Sequence, residues 1–357
     1  MLVAAGAEAA GLYGRVARLL ARRGTVRGRV LMVLLTGSGV TAVLSNDATP
    51  LVLTPAIFAA GPAGARATTD SAFAATFIAD GASLLLPVSN PVNLLFFERF
   101  ELGFWGYLAM VTPAAAAGAA VLAAVTMRQA AGEEAASAPV WTASARPVGP
   151  ALVVVAGLGA AYVGAGVAGF PLGLVTLAGG LAMAAAARLG GPVDGRQFRR
   201  HIAPGVLAFV AGLVLLVENV VAAGALDWLA GLLGWLEGGP ALVTVGGAAV
   251  VAAVLANLMN NWPAALVIAA AIGSRPGEHE ALVTGALIGS TLGANFTMVG
   301  SLSTVFWVSL SRQYGASYGV SEYARRAFVP TLAGMAARRR RGAGGERALL
   351  RLAVSAR

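Results

Sequence analysis

The chain has 357 residues, of which 58% are hydrophobic and 11% charged, with no cysteine and a formal net charge of +9. That composition excludes an ordinary soluble domain, a disulfide framework and any thiolate metal or catalytic centre, and it points to an all-α polytopic membrane protein. All 25 basic residues are Arg and they gather between and beyond the apolar runs, a topology signal unaccompanied by any aromatic-basic RNA module or DNA-reading helix, so no nucleic-acid partner is expected.

In chain order, residues 9–20 form a short helix in a segment carrying Arg15, Arg18, Arg22, Arg23, Arg27 and Arg29, which the positive-inside rule places in the cytoplasm. The next basic residue is Arg66, so both flanks of the apolar stretch 31–60 lie on one side. Thirty helical residues measure about 45 Å, enough for two half-membrane passes and a turn but too few for two full crossings. The stretch therefore reads as a re-entrant hairpin with Ser45, Asn46, Asp47, Ala48 and Thr49 at its tip and Pro50 in the first turn of the returning arm. A broken crossing at 71–97 and a crossing at 103–127 follow, then a cytoplasmic loop at 128–147 and two crossings within 148–187 (148–168 and 171–187). Arg188, Arg196, Arg199 and Arg200 mark the next cytoplasmic loop, and 202–223 crosses outward again. From there to Glu280 a single Arg, Arg275, stands against Asp227, Glu237, Glu278 and Glu280, the signature of an outside segment. Within it, the apolar stretch 240–272 is interrupted by "NLMNNWP" and reads as a second re-entrant hairpin, entered from the opposite face. A broken crossing at 281–310 leads to Arg312, Arg325 and Arg326, and 313–357 is expected to be a cytoplasmic basic tail or a truncated last helix.

The halves repeat. "AAGLYGRVARLL" (9–20) lies over "AAGALDWLAGLL" (222–233), and "FIADGASLLLPVSNPVNLLFF" (77–97) over "LIGSTLGANFTMVGSLSTVFW" (287–307). Residues 1–127 and 148–312 are thus two repeats of opposite orientation, each a short helix, a hairpin with a polar tip and a broken crossing. With one residue of slippage Asn46-Asp47 falls on Asn260-Asn261, so one tip can titrate and the other cannot. Inverted-repeat transporters hold their cargo where such breaks meet, because helix ends freed inside a membrane cost several kcal/mol per unsatisfied group unless cargo, ion or water pairs with them. The expected site comprises Asn46, Asp47 and Thr49 of the first tip, Asp80, Ser89, Asn90 and Asn93 of the first broken crossing, Asn260 and Asn261 of the second tip, and Asn295, Thr297 and Ser301 of the second broken crossing. Such carboxamides and hydroxyls suit a neutral hydroxylated solute or a lightly charged anion. Asp47 has two readings, a cap on the returning half-helix and an intramembrane proton carrier. Asp80 is expected in a polar cleft near the cytoplasmic end. Glu218 reads as snorkelling to the interface, His201 and His279 as solvated loop residues, and Trp141, Trp228, Trp235 and Trp307 as interfacial anchors. No metal or cofactor site is expected.

Four motifs, "LSNDATPLVLTP" (44–55), "FIADGASLLLPVSNPVN" (77–93), "MNNWPAALV" (259–267) and "LGANFTMVGSLSTVFW" (292–307), together resemble the arsenite efflux permease family, the ArsB type, of the ion-transporter superfamily. The resemblance implies an inverted-repeat secondary transporter rather than an enzyme. It also implies export of arsenite and antimonite as neutral hydroxides in exchange for protons across the inner membrane, with both terminal segments cytoplasmic. A homodimer with scaffold and transport domains is implied as well, with an ATPase subunit as a further candidate partner. Two positions depart from the family pattern: Thr291 stands where many members carry Asp, and Ala294 where many have a Pro-containing turn. Residues 1–30 leave no room for first-repeat counterparts of 148–187, so the first repeat is expected to lack its N-terminal scaffold helices. The alternatives are a sodium/proton antiporter or other anion transporter of the same fold, and a non-transporting truncated remnant. Because the breaks hold no basic residue, a dicarboxylate fits poorly, and because the chain holds no cysteine, arsenite would be bound as its hydroxide without As–S bonds.

Overall fold

The structure, a computed structural model, describes residues 2–22, 25–130, 148–189, 226–277 and 279–336, together with 211, 212, 215, 219, 223 and 224. Most of the 128–147 loop with Trp141, the loop with Arg196, Arg199, Arg200 and His201, most of the 202–223 crossing with Glu218, and 337–357 lie outside the described residues.

The described elements are helices. After α1 (Leu2–Ala9) and α2 (Leu12–Ala21) comes α3 (Val26–Val43), capped where the Thr25 side chain accepts the Gly28 N–H at 3.1 Å. α3 ends at Ser45, whose φ of 153° is incompatible with a continuing helix, and α4 (Ala48–Ala60) follows. The first broken helix consists of α5 (Arg66–Gly81), a 3₁₀ turn (Pro87–Ser89) and α6 (Pro91–Arg99). α7 (Phe104–Met110) and α8 (Thr112–Gln129) form an apolar pair bent by 46°, with Pro113 opening the second member as its missing N–H requires. α9 (Gly149–Val167) and α10 (Leu172–Leu189) follow and open the second half. The second half continues through α11 (Asp227–Glu237), α12 (Ala241–Met259), α13 (Asn261–Gly273), α14 (Glu280–Thr291), a 3₁₀ turn (Gly293–Phe296), α15 (Leu302–Gln313) and α16 (Val320–Ala336).

Among the described residues α3, α9, α10 and α12 are each long and apolar enough to cross a membrane. α9 and α10 stay apolar on their outward faces, with Val153, Leu181 and Leu189 exposed, as a lipid environment allows. α1 packs on α10 and shares a core with α9 through Val3, Leu158, Tyr162 and Met183.

Both halves use one plan. α3 and α12 have 18 and 19 residues, and α4 and α13 have 13 each. α3 packs along α5 as α12 packs along α14, and α2 lies on α4 as α11 lies on α13. The second arm of each hairpin also packs on the second half of the opposite broken helix, α4 on α15 and α13 on α6. The far ends of those pairs meet too: Phe58 stacks on Tyr314 at 5.3 Å, and Gly273 lies against Arg99. Such reciprocal crossing is what two repeats related by a two-fold axis produce. The hairpin arms are unequal, about 27 Å and 20 Å from their residue counts, and the first arm starts at Val26 rather than at residue 31.

Within the 313–357 segment, Val320–Ala336 is a helix that packs one face on the bundle, while Val320, Phe328, Val329 and Leu332 stay exposed. Tyr323 and Ala327 are fully buried against α5 and α8, and Arg326 holds Asp70 at 2.8 Å while lying 4.6 Å over the Phe73 ring. Glu322, Arg325 and Arg326 masked it by breaking the apolar run. Charged groups gather in two sets. Arg27 donates to the Ala130 carbonyl, Gln129 to the Arg326 carbonyl, and Asp70 joins Arg66 and Arg326. The other set holds Glu237, Arg275 and His279.

Candidate functional site

Asp80, on the last turn of α5, is where the breaks converge. Its Oδ1 accepts three hydrogen bonds: from Asn46 Nδ2 at 3.0 Å, Ser301 Oγ at 2.8 Å and Ser303 Oγ at 3.1 Å. All four residues are buried. The first tip, the first broken helix and the N-terminus of α15 from the second broken helix therefore share one carboxylate. Ser301 is the N-cap residue of α15 yet makes no cap hydrogen bond, because its hydroxyl is turned to Asp80. A half-helix N-terminus is also electrostatically suited to an anionic neighbour. With α5 starting at Arg66, Asp80 lies about 21 Å along it, deep in the bundle.

Around this carboxylate the first break is tied down through side chains. Ser83 Oγ donates to the Asp80 carbonyl at 2.8 Å, Asn90 Nδ2 to Ser83 Oγ at 3.3 Å, and Asn93 Nδ2 to the Ser83 carbonyl at 2.5 Å. Asn90 also caps α6, its Oδ1 accepting the Val92 N–H at 2.9 Å with Pro91 at the first helical position. Asn295 reaches across to the Phe77 carbonyl at 3.3 Å, and Thr76 meets Thr304 at 3.2 Å, so the two broken helices are joined above Asp80 as well.

The tips are fastened in matching ways. Asn46 N–H donates to the Ser89 carbonyl at 2.8 Å, and Asn261 N–H to the Gly300 carbonyl at 2.8 Å. The residues just before them, Ser45 and Asn260, both have positive φ, 153° and 80°. The shared bond and the shared backbone strain pair Ser45 with Asn260 and Asn46 with Asn261. That register differs by one residue from the pairing drawn from sequence, and it sets Asp47 opposite Trp262. Thr49 Oγ1 lies 2.7 Å from Thr41 and joins the two arms, Ser89 Oγ donates to the Ala42 carbonyl at 3.1 Å, and Asn260 Nδ2 donates to the Val299 carbonyl at 2.9 Å.

Asp47 is not the cap of α4. Its side chain makes no cap hydrogen bond; the Ser45 hydroxyl accepts the Ala48 N–H instead, at 3.2 Å. It is half-buried and follows Asn46, whose side-chain amide holds Asp80. Of the sequence-derived set, then, Asn46, Asp80 and Ser301 meet directly, Ser89, Asn90, Asn93 and Asn295 buttress them, and Asn260, Asn261 and Thr297 belong to the second tip and its break. Ser83 and Ser303 complete the network. Ser303 stands in the second broken crossing, but a hydroxyl one residue into a helix normally bonds its own backbone, so nothing local marks it as a partner of Asp80. Thr291 hydrogen-bonds within α14 to the Leu287 carbonyl at 2.5 Å and leaves the second break uncharged.

One pattern unites these side chains. Asn46, Asn93, Asn257 and Asn295 each donate their amide hydrogens to the protein, while the Oδ1 atom of each, together with Asn261 Oδ1 and Asp80 Oδ2, is buried without a partner among the described residues. The breaks thus present hydrogen-bond acceptors, the Asp80 carboxylate among them. No group of His, Asp and Glu able to hold a metal ion occurs among the described residues.

Two loop and interface expectations change. His279 is buried, with Nδ1 2.7 Å from Glu237 and Nε2 3.2 Å from the Arg275 carbonyl, and it joins α11 to α14. Trp307 is fully buried, stacked on Tyr318 at 5.0 Å, whereas Trp228 and Trp235 are exposed.

The citrate transporter family profile matches residues 1–294. The arsenical pump membrane protein of Yersinia enterocolitica is 30% identical over 342 residues, covering 91% of this chain and 80% of that protein, and that of Escherichia coli (strain K12) is 30% identical over 341 residues with the same coverage. In fold, the chain is similar to the Alcanivorax borkumensis YdaH transporter, whose crystal structure was described as having an unusual topology: the TM-score is 0.61 at 19% identity, over 94% of this chain and 81% of that one. Matched by a family profile over most of its length and by relatives over nearly all of it, this all-helical multi-pass chain belongs to the ArsB-type family of ion transporters and is a secondary transporter, not an enzyme.

Proposed function

We propose that the chain exports arsenite and antimonite as neutral hydroxides, exchanging them for protons by alternating access. The carrying observation is the set of bare acceptors in the breaks, Asp80 Oδ2 among them. A trihydroxide offers O–H donors and no charge, so it pairs with carboxamide oxygens and a carboxylate without the repulsion a carboxylate cargo would meet there. The names of the arsenical pump relatives support the same cargo. Citrate, suggested by the name of the family profile, lacks any Arg in the four breaks to receive it. With no cysteine in the chain, recognition runs through oxygen.

Asp80 and Asp47 are the proposed coupling residues, with Asp80 the closer to the cargo and Asp47 modulating it by like-charge repulsion. In this reading the two tips form the ends of re-entrant hairpins, the membrane is the inner membrane, and the Arg27, Arg66, Arg128 and Arg326 end is cytoplasmic. The test is uptake into everted membrane vesicles. Energised vesicles are expected to accumulate arsenite, with excess citrate failing to compete; sodium-proton exchange without arsenite uptake would assign the chain to an antiporter instead.

A further inference from the structure

Arg29 is the one basic side chain of α3 that the bundle buries, at 1% exposure, and no hydrogen bond or ion pair among the described residues includes it. Its Nε is buried without a partner, and a guanidinium so withdrawn from water is costly, which calls for an anion. Its surroundings are of the matching kind. Gly61 follows α4, and a Cβ there would stand 2.9 Å from Arg29 Nη1 and would collide with Thr68 Oγ1, so the guanidinium and the hydroxyl lie side by side against Gly61. The Thr68 hydroxyl is fully buried and unpartnered among the described residues, as is that of Ser71, three residues on and on the same helix face.

That spot lies at the start of α5. The first intrahelical donor of α5 is the Thr69 N–H, bonded to the Ala65 carbonyl at 2.9 Å, and Ala65 provides no side-chain cap. The N–H groups of the first turn are therefore free of helix partners and carry the positive end of the helix dipole. A helix start, a buried unpaired guanidinium and two orphaned hydroxyls form an anion cradle. From these we propose that Arg29, Thr68, Ser71 and the α5 N-terminus bind a phosphate-class oxyanion, either free phosphate or the phosphate of an anionic phospholipid. The position supports both sources: Arg29 stands one turn inside α3, at the end of the bundle where Arg27 and Arg66 also lie, and basic pockets between helices at that depth take lipid headgroups. The site is separate from the Asp80 network and does not depend on the cargo assigned above.

The experiment uses the full chain purified in detergent, with radiolabelled inorganic phosphate as the probe. Thermal unfolding is followed in parallel, with phosphate against chloride at equal ionic strength, and in nanodiscs of phosphatidylcholine with or without phosphatidate. Saturable phosphate binding and a Tm raised by phosphate but not chloride are expected, with both responses reduced several-fold in Thr68→Val and lost in Arg29→Gln. If the lipid is the source, the Tm rises only in the phosphatidate nanodiscs, and mass spectrometry finds a retained anionic phospholipid that Arg29→Gln lacks. Equal responses in wild type, Thr68→Val and Arg29→Gln would overturn the proposal, as would a chloride effect as large as that of phosphate. Should Arg29→Gln not fold, Thr68→Val, which keeps the side-chain shape, decides by itself.

Discussion

Asp80 combines full burial with three donors on one oxygen and none on the other. Hydrogen bonds to a charged acceptor contribute about 1.5–3 kcal/mol each, and more is lost when a buried partner is left unpaired. A double-mutant cycle of Asp80→Asn with Ser301→Ala, read by thermal unfolding, is expected to give a coupling of about 1.5–3 kcal/mol; a coupling near zero would mean that the bond does not form. Asp80 was legible in the sequence as an acid inside an apolar run, and Asn46 as part of a polar tip. Their meeting with Ser301 and Ser303 was not, because those serines lie more than 200 residues away and come close only when the repeats interlock. Asp47 drew notice as an acid in a tip whose counterpart cannot titrate; of its two readings, the cap goes to the Ser45 hydroxyl, which accepts the Ala48 N–H.

At the scale of the element, the tightest helix contact is between α12 and α14. Gly285, Gly289 and Gly293, spaced by four, face Val245, Ala248, Ala249, Ala252 and Ala253, and a Cβ at Gly289 would overlap the Ala249 carbonyl. Small residues at this spacing let two helices approach to backbone contact inside a membrane. Gly289→Val is expected to cost about 3 kcal/mol or more by forcing the helices apart, seen as loss of monodisperse protein in detergent, while Gly246→Ala, with open space around it, leaves the yield unchanged. The broken helices were legible from Asn, Ser, Gly and Pro clusters inside apolar runs, since those residue types stop helices by known mechanisms. α16 was legible only as a possible truncated helix for the opposite reason: its charges break the apolar run, and Asp70 from α5 and Glu322 from the same helix receive Arg326.

Across the whole molecule, the two repeats interlock so that the second arm of each hairpin packs on the other half's broken helix, and the acid of the broken helices sits in one repeat alone. Its counterpart in the 77–97 over 287–307 register is Ser290, a buried hydroxyl without a partner among the described residues. The proposed orientation is checkable because the chain has no cysteine of its own. Ala63→Cys is expected to react with an impermeant thiol reagent only in everted vesicles and Ser274→Cys only in right-side-out ones; the reverse pattern would invert the topology. The most direct measurement is arsenite uptake by energised everted vesicles carrying equal amounts of folded wild type, Asp47→Asn and Asp80→Asn. Uptake is expected to be reduced in Asp47→Asn and abolished in Asp80→Asn, and an Asp80→Asn variant that accumulates arsenite like the wild type would contradict the assignment of cargo and coupling to that carboxylate.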